Sequence, residues 1–106
     1  MTTEPDARGA YFDVTWVHVV EQDSARGAVF WPEDADIPLS RRPRERLVLH
    51  RDGSAEWLVP GADDRPAARG ARWSRQDNGI VVRERSGREV LRITDVSSER
   101  LLARMP

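Results

Sequence analysis

The sequence predicts an all-β domain, a small antiparallel up-and-down β-barrel of seven or eight strands. Tyr11 to Glu21 alternates strictly, with Phe12, Val14, Trp16, His18 and Val20 on one face and Tyr11, Asp13, Thr15, Val17, Val19 and Glu21 on the other; such a period of two belongs to a strand. Turn signals then recur at Asp52-Gly53, Pro60-Gly61, Asp77-Asn78-Gly79 and Ser86-Gly87, the punctuation of an antiparallel meander. No segment carries the period of an amphipathic helix of ordinary length.

Residues 1–10 are small and polar and read as a flexible tail, leaving 11–106 as one barrel domain. The first strand runs from Tyr11 to Glu21. Gln22 to Arg44 follows as a long irregular stretch with Pro32, Pro38 and Pro43, in which Ala28-Val29-Phe30-Trp31 forms a short strand. Arg46 to Arg51 and Ser54 to Val59 make a hairpin, and Ala62 to Ala68 is a second loop. Gly70 to Arg75, Ile80 to Arg85 and Glu89 to Val96 are further strands, and Leu101 to Met105 is a strand or a helical turn, with the turn at Ser97-Ser98 favouring the strand. The period of two turns Leu47, Leu49, Ala55, Trp57, Val59, Ala71, Trp73, Ile80, Val82, Leu91 and Ile93 inward. Val17, Val19, Val48, Leu58 and Val81 fall on the outer face, where a second subunit or the long loop is the natural cover; a homodimer is the expectation.

Composition removes several chemistries. The chain has no cysteine, and all 17 of its basic residues are arginine. Thiol nucleophiles, thiolate metal sites and Schiff-base lysines are therefore excluded. A formal net charge of −1 gives no reason to expect nucleic acid as a partner. No apolar run is long enough to span a bilayer and the start lacks a signal-peptide pattern, so no membrane is expected and a cytoplasmic setting is the default.

The most suggestive local group is Trp16-x-His18-x-x-Glu21-x-Asp23. An inward imidazole beside an indole can hydrogen-bond a ligand or act as general acid/base, and it can equally be a core histidine satisfied by a loop carboxylate. His50 has the opposite parity from Leu47 and Leu49 and faces outward, so the two histidines do not share a metal and no metal site is expected. Arg41, Arg42, Arg44 and Arg46 could clamp an anion, against which stand ion pairs with Glu33, Asp34, Asp36, Asp63 and Asp64.

Trp16-Val17-His18 with Glu21 and Asp23, then Phe30-x-Pro32, Pro38-x-Ser40-Arg41-x-x-Arg44-Glu45, Asp52-Gly53, Pro60-Gly61-x-Asp63-Asp64-Arg65-Pro66 and Gly70-x-x-Trp73, resembles a group of small, uncharacterised lipocalin-like bacterial proteins over roughly residues 12–104. The resemblance implies a calycin-like barrel and carries no activity to transfer. Lipocalins typically open with Gly-x-Trp, where this strand has Val14-Thr15-Trp16.

The reading that follows is a barrel binding a small, apolar or amphipathic molecule at its open end, without a cofactor. Trp16, His18, Trp57 and Trp73 would line the site, and Phe30, Trp31 and Arg44 would close it. A cofactor-free enzyme with His18 as acid/base and Arg44 holding an anionic group is a second class, and a protein-interaction module a third.

Overall fold

Eight antiparallel strands form one sheet curled into a nearly closed barrel. The structure, a computed structural model, describes residues 11–41, 43–58, 70–77 and 79–104. The strands are β1 (Thr15–His18), β2 (Ala28–Pro32), β3 (Arg46–Leu49), β4 (Ala55–Leu58), β5 (Arg72–Gln76), β6 (Gly79–Arg83), β7 (Glu89–Val96) and β8 (Leu101–Arg104). A single 3₁₀ turn at Val20–Gln22 is the only helical element among the described residues. No helix there is long and apolar enough to cross a membrane. Val59 and the Ala62 to Ala68 loop lie outside the described residues.

The first strand is shorter at both ends than its alternation suggests. Asp13 adopts a positive φ of 58°, a conformation that breaks an extended run and that aspartate tolerates better than most residues. Its backbone N–H instead donates to the Leu49 carbonyl at 2.7 Å. At the other end Gln22 N–H donates to Val19 O at 2.9 Å, coiling the chain so that Glu21 leaves the strand plane.

Around the barrel the order is β4-β3-β1-β2-β8-β7-β6-β5. An isolated bridge between Ser54 and Arg72 brings β4 back to β5, flanked by Ala55 N–H to Ala71 O and Trp73 N–H to Gly53 O, both at 2.9 Å. The meander from β3 to β8 therefore follows chain order. The first hairpin does not: β1 lies against β3 and β2 against β8. Both β2 and β3 are antiparallel to β1, so they run parallel to each other on either side of it. Parallel strands need a crossover, and with the core on one face that crossover must pass over the outer face of β1. Residues 33–45 are that crossover, which explains their length.

The inner face matches the period-two assignment. Trp16, Phe30, Leu47, Leu49, Leu91, Ile93 and Leu101 are all but inaccessible to solvent and share one core with Phe12, Ala55, Ala71, Ile80, Val82 and Ala103. Burying each large apolar side chain is worth about 1.5–3 kcal/mol, so this cluster dominates stability. On the outer face Val17 retains 6% exposure and Val19 none. Val17 and Val19 are thus covered within one chain, whereas Val48 and Leu58 of the same outer strip stay half-buried.

Two glycines, Gly27 and Gly79, are required by contact; a Cβ at Gly79 would collide with the Ile93 carbonyl oxygen. Gly27, at φ 138°, leads into β2 where it passes the end of β8, and a Cβ there would sit 2.5 Å from the Ala103 carbonyl oxygen.

Candidate functional site at the barrel mouth

The two ends of the barrel are built differently. At the end where β1 finishes, polar side chains are tied to one another. His18 Nε2 donates to the Asp23 carboxylate at 2.9 and 3.0 Å, its ring stacks on Phe30 at 5.1 Å between centroids, and Nδ1 lies 3.8 Å from Glu45. Asp23 also accepts the Val29 N–H at 3.0 Å, and Glu45 accepts the Trp57 indole N–H at 3.1 Å. Arg44 donates to both Glu21 carboxylate oxygens at 2.8 and 2.9 Å and to the carbonyls of His18 and Pro38 at 3.0 Å. This fork holds the Glu21 carboxyl well below its ordinary value, at about 2, and raises the arginine in turn. Its structural role is plain: Arg44 staples the returning crossover to the end of β1.

At the opposite end, where β1 begins, the chain leaves an opening. Tyr11 and Phe12 approach as a tilted pair with centroids 4.6 Å apart, and Phe12 stacks on Trp73 at 4.8 Å. The Trp73 indole N–H donates to the His50 carbonyl at 2.6 Å. Arg51 and Arg75 lie over the Phe12 ring at 5.9 and 5.8 Å, and Arg75 also covers Trp73 at 6.0 Å, distances at which a cation is attracted by the ring face. Beside this collar is a groove of about 240 Å³ lined by Tyr11, Arg75, Asp77, Ile80 and the Ile93 to Val96 run, with Gly79 between them. Ile80 and Ile93 are core residues, so the groove is the mouth of the barrel, floored by the top of the core.

The mouth is braced by a second histidine. His50 Nδ1 lies 3.1 Å from Asp13 Oδ1, and Nε2 meets the Glu56 carboxylate. Hydrogen bonds to Glu56 and then Asp13 raise the imidazole above its ordinary value of 6.5. Arg51 Nε pairs with the other Asp13 oxygen at 3.1 Å. As its parity required, His50 is on the outer side, a third exposed.

The residues singled out from sequence divide between these ends. Phe30, His18, Arg44 and Trp57 gather at the stapled end, where His18 Nε2, the Arg44 guanidinium and the Trp57 indole N–H are already engaged inside the protein. Trp16 is fully buried and its indole N–H donates to Tyr11 O at 3.2 Å, so it fills the interior. Trp31 has the opposite parity from Phe30 and is registered against Val17 on the outer face. Trp73 alone stands at the mouth. Sequence reasoning passed over Tyr11, Arg75, Asp77, Ile93 and Val96 as a group. A signal existed for Arg75, which shares the inward parity of Ala71 and Trp73; a charge on an inner face belongs at a barrel rim.

Among the described residues, no three histidine or carboxylate side chains are arranged to hold a metal ion. No family model, no curated protein and no solved structure matches this chain.

Proposed function

We propose that this barrel binds a small, partly apolar molecule in the groove at its mouth, with Tyr11, Arg75 and Trp73 around the opening and Ile80, Ile93 and Val96 beneath the ligand. The observation that carries the reading is the contrast between a core packed with Trp16, Phe30, Leu47, Leu91 and Leu101 and an indentation of about 240 Å³ above it. Small-molecule sites are concave, floored by apolar groups and edged by a few polar ones. A kinship with the lipocalin-like bacterial proteins fits this reading, since barrels of about eight strands hold at most one small ligand.

The test is amide chemical-shift mapping with 8-anilinonaphthalene-1-sulfonate as the probe. Binding is expected to move Tyr11, Arg75 to Asp77, Gly79 and Thr94 to Val96. Shifts confined to His18, Glu21 and Glu45 would overturn the reading and restore the other end as the site.

A further inference from the structure

Resting on that reading, we infer that the groove selects an amphipathic carboxylate, anchored by Arg75. The charges around the mouth support an anionic ligand when each is followed to its partner. Asp95 faces Arg100 at 3.6 Å. Asp77 acts electrostatically on Arg92, which Glu89 already grips at 3.0 and 3.1 Å. His50 and Arg51 share Asp13. Arg75 is different: among the described residues no carboxylate forms an ion pair with it, and its guanidinium is held by the faces of Phe12 and Trp73 alone.

A guanidinium laid on aromatic rings keeps the N–H groups along its edge free to donate. Those donors form a planar fork that matches a carboxylate with two parallel hydrogen bonds. The aromatic support also reduces the rotamer freedom the side chain would otherwise lose on binding. Tyr11 adds a phenol on the same wall, with only 6% of its surface exposed. The floor of Ile80, Ile93 and Val96 offers nothing polar from its side chains, so the remainder of the ligand must be apolar. The volume limits its size. A water occupies about 30 Å³ in the liquid, so the groove equals roughly eight waters and suits a short alkyl or single-ring acid rather than a long lipid. Asp77 sets the sign of a control, because its carboxylate borders the same groove and opposes an anion there.

Octanoate and 1-octanol, which share the apolar chain and differ in charge, separate the inference from the reading beneath it. Titrated into the intact protein and followed by amide shifts at the groove, octanoate is expected to bind about tenfold more tightly than octanol. Arg75→Gln should abolish that preference, bringing octanoate and octanol to equal affinity, and Asp77→Asn should strengthen octanoate binding. Equal affinities for the two probes, or a preference that survives Arg75→Gln, would overturn the carboxylate assignment and leave the groove intact as an apolar site. Shifts with neither probe at millimolar concentration would overturn both. If Arg75→Gln melts early, Arg75→Lys keeps the charge without the fork, and it should retain only part of the octanoate preference.

Discussion

The His50 imidazole and the Asp13 carboxylate, 3.1 Å apart, join the segment that enters β1 to the β3–β4 hairpin. Glu56 holds the second ring nitrogen, so only the protonated imidazole can donate to both carboxylates at once. Asp52 and Arg51 are the other charged groups acting at this point, the first favouring the cation and the second paired with Asp13.

A pH dependence follows. Because the folded-state pKa of His50 is raised above 6.5, its contribution is fully present below that value and lost as pH climbs through the raised one. The melting temperature of the native protein should exceed that of His50→Gln by most below the ordinary imidazole value of 6.5, with the gap closing as pH rises through the raised one. A gap constant across that range would show that the imidazolium contributes nothing.

The stapled end responds to acid instead. Glu21 has its pKa lowered from 4.5 to about 2 by Arg44. The stability this adds is present above 4.5 and disappears as pH falls towards 2. Acid titration of native protein and Glu21→Gln, followed by circular dichroism, should show their melting temperatures converging over that interval. Identical curves throughout would mean that the pair is too well solvated to matter.

His18→Gln separates the two ends. Replacing the imidazole trades the 2.9 Å ring N–H donor to Asp23 for a longer, flexible amide and removes the ring from Phe30. A cost of about 1–3 kcal/mol in denaturant unfolding is expected, with binding of octanoate at the mouth unchanged. A variant that is stable but no longer binds would return His18 to the ligand site.

Phe30→Ala tests the claim that the interior is solid. Phe30 is fully buried and registered against both His18 and Leu101. The substitution should cost about 3–5 kcal/mol, measured by urea unfolding. A loss below about 1 kcal/mol would indicate an interior with space already in it.

Much of this architecture was legible from alternation alone. Leu47, Leu49, Trp57, Trp73, Ile80, Val82, Leu91 and Ile93 all join or flank the core as their parity required, because a one-residue slip would drive each apolar set into water. The reversed placement of the first hairpin was not legible. Parity states which face a residue occupies and says nothing about which strand lies beside it, and Val29 meets Leu102 across most of the chain's length. The burial of Val17 and Val19 within one chain is likewise a property of that long-range pairing, not of any local pattern. At the site, the reading of His18 as a histidine satisfied by a loop carboxylate was legible, since His18 donates to Asp23; the bond from Trp16 to the Tyr11 carbonyl was not. The stagger that leaves Arg75 and Val96 at an open rim is written in strand register, which no single segment carries.

The pairing of β2 with β8 also bears on how the chain survives its own synthesis. Until Leu101 to Ala103 emerge and dock, Ala28-Val29-Phe30 presents an unpaired, strongly apolar edge to the cell. A chain synthesised only as far as β7 therefore exposes a template for aggregation that β8 shields once it docks. Deletion of Leu101–Arg104 would be expected to yield insoluble protein rather than a weakened barrel.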